Sequence, residues 1–388
     1  GSANSTSIQN YGLTSAEQTV FATGSDANVL NAGKIHAGGS GISVGEDSQV
    51  VNEGTIFASG DGVQLGYNST LKNFGNIYGS NDGVEVNTGQ ARIYNSGYIS
   101  TESDSLTADG AVEFFGTQSP HGHNILINDG VLESKGNSIL GSTFQEQIVN
   151  RGVLIGYVRL EANDDIIDIR YGYIVDFVNL GSGNDTFLAG PGSENVDGFN
   201  GADTINYALS DSGVEIKLWA GEASGGHANG DTIINFENVI GSEFDDVIAG
   251  NRENNRLDGG RGGDVLVGGR GNDTVDYGRS GEGVKVALWN KAAEGGHAEG
   301  DQLHDVENLF GSQSNDVLTG DANENELIGN DGDDILTGGG GADLLYGGVG
   351  EDTANYRGSP SAVTVKIFDG TAQGGHAEGD YIDLDIEN

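Results

Sequence analysis

The sequence predicts an all-β chain: a parallel β-helix of about 21-residue coils over residues 1–180, continuing into a narrower parallel β-roll over residues 181–388. Three observations predict it. An Asn-x-Gly element returns every 21 or 22 residues in the first part, and a Gly- and Asp-rich pattern returns every nine residues in the second. The composition, 68 Gly and only 3 Pro in 388 residues, suits a turn-rich repeat and lacks the three-residue period of collagen.

The Asn-x-Gly element is read first at Asn10-Tyr11-Gly12, then at Asn31, Asn52, Asn73 and Asn95, and after a longer interval at Asn128 and Asn150. Each period carries short alternating segments, such as Gly62-Val63-Gln64-Leu65-Gly66 beneath Gly41-Ile42-Ser43-Val44-Gly45, and alternation marks strands with one face inward. Three such strands per period predict one coil of a parallel β-helix, with the recurrent Asn stacked as an amide ladder at a corner. The Gly two residues later is expected to take a positive φ for the turn. A sandwich of short strands is the alternative, but it would not demand so regular a period. About 11 extra residues between Thr101 and His123 are expected to loop out, because a coil of fixed circumference cannot absorb them.

The nine-residue pattern is clearest in Gly259-Gly260-Arg261-Gly262-Gly263-Asp264-Val265-Leu266-Val267, which runs straight into Gly268-Gly269-Arg270-Gly271-Asn272-Asp273. Blocks fall at about 181–205, 241–276 and 311–355, with longer spacer modules between them. One frame aligns Asp246, Asn255, Asp264 and Asp273, a second aligns Asp316, Asn325, Asp334, Asp343 and Asp352, and a degenerate one holds Asp185, Glu194 and Asp203. A flexible acidic linker would not place an apolar residue (Leu266, Val275, Leu336, Leu345) in register every nine positions.

Charge gives the pattern its chemistry. With 59 acidic and 17 basic residues, a net charge of −42, the compact chain repels itself unless cations are bound, so nucleic acid and anionic membrane are excluded as partners and metal ions are favoured. Calcium takes six or more hard oxygen ligands in a forgiving geometry. A glycine turn can aim main-chain carbonyls at one point, and the Asp adds a carboxylate. With no Cys there are no disulfides or thiolate metal sites.

In these residues the sequence resembles the RTX, or haemolysin-type calcium-binding, family, whose repeat is G-G-x-G-x-D-x-U-x. The resemblance covers roughly residues 180–388. It implies a β-roll of two nonapeptides per coil with multiple calcium ions between successive turns. Position six then supplies the carboxylates Asp185, Asp203, Asp246, Asp264, Asp273, Asp316, Asp334, Asp343 and Asp352. Positions one and three supply the carbonyls of Gly259 and Arg261, Gly268 and Arg270, Gly329 and Asp331, Gly338 and Gly340, and Gly347 and Val349. Asn255 and Asn325 lack the charge, so those sites are expected to be weak or empty. The family resemblance also implies export unfolded through a type I channel, with calcium outside the cell triggering the fold.

The spacer occurs three times, as an alternating strand (213–219, 283–289, 362–368) followed by Gly-Gly-His-Ala-x-Gly-Asp, and is expected to continue the roll as wider coils. Its Asp231, Asp301 and Asp380 are candidates for further calcium contacts. One His per module (His227, His297, His376) cannot gather the three ligands usual in catalytic zinc sites, so these His are read as structural.

No HExxH or GxSxG motif is present, and Ser119-Pro120-His121-Gly122-His123 only faintly resembles the Asp-Pro-His of alginate epimerases, without its Asp. The expected function is therefore structural or adhesive, as a secreted surface-layer, matrix or adhesin component whose partners are calcium, surface polysaccharide or a second copy. The alternative is a β-helix uronan lyase or C5-epimerase carrying calcium modules. Gly1-Ser2 reads as a tag scar, and the end at Glu387-Asn388, part-way through a repeated element, as a cut.

Overall fold

A computed structural model describes residues 6–106, 108–115 and 123–388. The motif residues 119–122, including His121, lie outside these. Two compact units form, one of residues up to 204 with 231–236, the other of 205–230 with 237–388. Each is a parallel β-solenoid.

In the first unit the coils up to Asn150 begin with a strand ending in the repeated Asn, and Ile166–Asp168 and Thr186–Leu188 continue that wall without it. Ser7–Asn10, Asn28–Asn31, Gln49–Asn52, Thr70–Asn73 and Arg92–Asn95 pair in parallel and in strict register. A second wall stacks Leu13–Ala16, Lys34–Ala37, Thr55–Ala58, Asn76–Gly79 and Tyr98–Thr101. A third stacks Phe21–Ala22, Ile42–Val44, Val63–Leu65, Val84–Val86 and Gly110–Phe114. Alternation sends Ile35, Ile56, Ile77 and Ile99 into one internal column and Val29, Val50, Leu71 and Ile93 into another, all essentially without solvent contact.

The corner Asn residues form the expected ladder. Each Nδ2 donates to the next Oδ1, from Asn10 through Asn31, Asn52, Asn73, Asn95 and Asn128 to Asn150, at 2.7–2.8 Å. The Gly beside each Asn has a different reason from the one expected. Gly33, Gly54, Gly75, Gly97, Gly130 and Gly152 do not take a positive φ. Instead a Cβ on any of them would fall less than 3.0 Å from the carbonyl oxygen of the equivalent Gly one coil before. Close stacking of backbones, not turn conformation, requires glycine here.

Part of the long interval after Thr101 stays in the stack. Within it Gly110–Phe114 keeps its place in the third wall, pairing with Val84–Val86 and with Val131–Leu140, so the added residues fall on either side of that strand.

In the second unit most strands shorten to three residues, and in the stacked ones the middle residue is the buried apolar one. One wall stacks Asn238–Ile240, Arg256–Asp258, Thr274–Asp276 and Asn308–Phe310, bringing Val239, Leu257, Val275 and Leu309 into line. The wall of Glu215–Lys217, Val247–Ala249, Val265–Val267 and Gln302–His304 lines up Ile216, Ile248, Leu266 and Leu303. The spacers are not simply wider coils. Each spacer strand folds back as an antiparallel hairpin, Glu215–Lys217 with Glu222–Ser224, Lys285–Ala287 with Ala292–Glu294, and Thr364–Lys366 with Thr371–Gln373. Gly221 at φ 69° and Lys291 at φ 59° allow the reversal in the first two.

Candidate metal centre

Two glycines of three consensus nonapeptides adopt backbones that L-residues rarely take: Gly260 and Gly262 at φ 89° and 135°, Gly269 and Gly271 at 112° and 131°, Gly339 and Gly341 at 111° and 128°. The turn they build carries the position-six residue inward. Asp185, Asp203, Asp246, Asp264, Asp273, Asp316, Asp334, Asp343 and Asp352 are all buried, and so are the spacer residues Asp231, Asp301 and Asp380.

One oxygen of each stacked carboxylate knits neighbouring coils together. The Oδ1 atoms of Asp264, Asp334 and Asp352 accept the backbone N–H of Asp246, Asp316 and Asp334, 18 residues earlier, at 2.7–2.8 Å. Asp273 and Asp343 do the same for Asn255 and Asn325. The other oxygen is left over: Oδ2 of Asp185, Asp264, Asp273, Asp334, Asp343 and Asp352 is buried without a hydrogen-bond partner. Burial pushes the Asp264 carboxyl up to about 8 and those of Asp334 and Asp343 up to about 7, with neighbouring acids adding to the effect. A buried, unpaired carboxylate oxygen costs several kcal/mol unless a proton or cation faces it.

Position-one glycines complete the cradle. A Cβ on Gly329 would sit less than 3.0 Å both from Asp334 Oδ2 and from the carbonyl oxygen of Gly347 in the next coil, and one on Gly268 both from Asp273 Oδ2 and from the carbonyl oxygen of Asp305. Gly241 and Gly311 repeat the pairing with Gly259 and Gly329, at the serine-capped Asp246 and Asp316. Gly268 and Gly338 present their carbonyls in the same way to Gly250 and Gly320. The position-three side chains of Arg261, Arg270, Asp331 and Val349 are exposed, which leaves only their carbonyls to contribute. Among the described residues no three His, Asp or Glu side chains converge on a metal position, so an ion here must take main-chain oxygens. A carboxylate oxygen with no partner, faced by a carbonyl and lacking nitrogen or sulfur donors, fits calcium.

The ends of each stack are closed by protein groups that sequence reasoning missed. Asp246 takes the N–H and hydroxyl of Ser242 at 2.6 and 2.8 Å, and Asp316 takes those of Ser312 at 2.6 and 2.9 Å. Asn255 and Asn325 accept the N–H of Asn251 and Asp321 and donate to the carbonyls of Glu237 and Glu307. At the far ends, Asp301 and Asp380 accept from Tyr277 and Tyr356 hydroxyls at 2.9 and 2.7 Å. The common signal was visible in the sequence: a Gly-Ser four residues before the acid, and an Asp-Tyr or Asn-Tyr 24 residues before the spacer Asp.

Each spacer His lies in a one-turn 3₁₀ segment, and the backbone N–H of His227, His297 and His376 donates to Ser210, Ser280 and Ser359 Oγ. Burial lowers the pKa of His297. The main chain thus makes the contact that fixes the turn.

A second set of buried acids lies in the first unit. Asp82 accepts the Gly110 N–H at 2.7 Å, and Gln64 bridges Asp61 and Glu85 at 2.8 and 2.7 Å. Burial pushes Asp82 up to about 9 and Glu113 up to about 7. Between the unfolded value of 3.8 and the folded one, folded Asp82 holds a proton that the unfolded chain has lost, so stability falls as pH rises through that window. Melting of this unit in chelator should therefore move to lower temperature from pH 5 to pH 8, and Asp82→Asn should flatten the slope. An unchanged slope in the variant would assign it to other groups.

Among known families, the profile of the RTX calcium-binding nonapeptide repeat (4 copies) matches residues 175–209, 240–275 and 320–354. A search of curated proteins found no match. Nonapeptide register, stacked coils and oxygen-only cradles agree with that match: the chain carries RTX calcium-binding nonapeptide repeats in a parallel β-solenoid.

Proposed function

We propose that the protein acts outside the cell as a calcium-folded scaffold with a structural or adhesive role at a surface. The observation that carries the reading is the set of buried Oδ2 atoms, nine residues apart at Asp264 and Asp273 and again at Asp334, Asp343 and Asp352, partnered only if a cation is present, which ties the fold to a calcium-rich medium. The ion ligands in this reading are Asp185, Asp203, Asp264, Asp273, Asp334, Asp343 and Asp352 with the position-one carbonyls. Asp246, Asp316, Asp301 and Asp380 spend both oxygens on protein donors and serve mainly to end the stacks. Asn255 and Asn325 are closed by their own turns.

The adhesive part rests on the spacers. Their hairpin tips hold Trp219, Trp289 and Phe368 at equivalent positions, 65 %, 67 % and 81 % exposed, a repeated apolar contact on a strongly acidic surface. No helix among the described residues is long and apolar enough to cross a membrane.

The scaffold reading is tested against the enzymatic one by incubating the calcium-loaded chain with alginate and pectate and assaying unsaturated ends and C5 inversion. No turnover is expected. Turnover that disappears in His121→Ala or Glu113→Gln would replace the scaffold by an enzyme.

A further inference from the structure

We infer that calcium binding begins upstream of every family match, in the last coils of the β-helix, where Asp165 supplies a first carboxylate beside that of Asp185 in the first matched turn. This rests on the reading of the orphaned Asp oxygens as ion ligands. Leu160-Glu161-Ala162-Asn163-Asp164-Asp165 lacks glycine altogether, which hides it from the nonapeptide pattern.

The turn nevertheless repeats the hydrogen bonds of the later ones. Asp165 Oδ1 accepts the N–H of Glu146 at 2.6 Å, as Asp264 Oδ1 accepts that of Asp246, and Asp185 Oδ1 accepts the N–H of Asp165 at 2.7 Å. At position five, Asp164 accepts the Asn184 N–H at 2.7 Å, as Asp245 accepts that of Gly263 at 2.9 Å. Ala162 bridges Ser182 in parallel, so the two turns stack. Asn163 takes the left-handed backbone, φ 77°, at the position where Gly183 and Gly201 have positive φ. Leu160 at position one is no departure from its neighbour, because the matched turn of Asp185 has Leu180 there.

What points to a ligand is the remaining oxygen. Asp165 is 1 % exposed, and its Oδ2 has no partner, as with Oδ2 of Asp185. The stack also begins as the others do. Glu146 takes the N–H and hydroxyl of Ser142 at 3.3 and 2.6 Å, the arrangement of Ser242 with Asp246 and Ser312 with Asp316. Asn124 Nδ2 adds a third donor to Glu146, at 2.9 Å. Thus Glu146 is the closed end of the column, and Asp165 is its first open carboxylate.

The test uses the full chain. Hydrogen exchange with and without calcium should show calcium-dependent protection over residues 141–185 as well as over 241–355. Asp165→Asn, isosteric and of a type the chain itself places at this turn position in Asn255 and Asn325, should remove the protection over 141–168. It should also lower the ions bound in equilibrium dialysis by at least one while leaving 241–355 unchanged. Calcium protection of 241–355 without any over 141–168 in the unaltered chain overturns this site and leaves the family sites standing. So does an equal ion count in the variant. Absence of calcium binding anywhere would remove the general reading as well.

Discussion

Chelation of calcium is expected to unfold residues 237–388 while the Asn-ladder coils persist. The second unit buries one apolar side chain per three-residue strand, Leu257, Leu266 or Leu336, each worth about 2 kcal/mol. Against it stand the ordering of glycine-rich turns, at about 1–2 kcal/mol of backbone entropy per residue, and the stacking of acids 18 residues apart on successive coils. Calcium supplies the partner for each Oδ2 and neutralises the column, so binding free energy becomes folding free energy. Trp219 and Trp289 both lie in this unit and report on it alone. Their fluorescence and the exchange protection of 237–388 should collapse in chelator and return cooperatively at about 10⁻⁴–10⁻³ M calcium, the usual range of extracellular modules, and much less with magnesium. Asp264→Ala together with Asp343→Ala should move the midpoint to higher calcium. Native fluorescence and protection after exhaustive chelation would show that the orphaned oxygens are not what holds the roll.

The periods were legible because each is enforced by something that must repeat. An amide ladder fails if one Asn is missing, and a stacked nonapeptide fails if Leu266 or Leu336 shifts by one residue, so both leave a strict register in the sequence. What was not legible depends on contacts between coils. Gly54 was read as a turn glycine because a sequence shows its freedom in φ but not the carbonyl of Gly33 lying where its Cβ would be. The turn of Asp165 is not legible because the nonapeptide pattern is keyed to glycine, whereas Asn163 reaches the same backbone without it. The hairpins carrying Trp219 and Trp289 were read as wide coils because alternation is the same in a strand that goes on and in one that turns back. Ser242 and Ser312 stood in plain view, but a Gly-Ser pair has meaning only once the acid four residues later is seen to spend both oxygens on it.

Asn73→Leu should cost the first unit about 3–6 kcal/mol, an effect that calcium does not repair. Asn73 has no solvent contact. Its Oδ1 accepts from Asn52, and its Nδ2 donates to Asn95 Oδ1 at 2.8 Å and to the carbonyls of Gly75 and Tyr98 at 3.1 and 3.3 Å. Leucine keeps the same branched side-chain skeleton, with bulkier ends, and removes every polar atom from it. It takes the shortest acceptor from Asn52 Nδ2, which keeps only the carbonyls of Gly54 and Asn76 at 3.3 Å, and the shortest donor from Asn95 Oδ1, which keeps only the Gly97 N–H at 3.2 Å. Each buried group left short of a partner costs about 1–3 kcal/mol, and the carbonyls of Gly75 and Tyr98 lose a donor as well. The same ladder runs through six bonds, and cutting it in the middle leaves two shorter pieces. Denaturant melts of the full chain in chelator, followed by exchange protection at residues 49–99, should show the loss, whereas the calcium midpoint read from Trp219 and Trp289 should stay where it was. If the variant melts with the unaltered chain, the ladder is an ornament of the coil and the apolar columns of Ile35, Ile56 and Ile77 alone hold the helix.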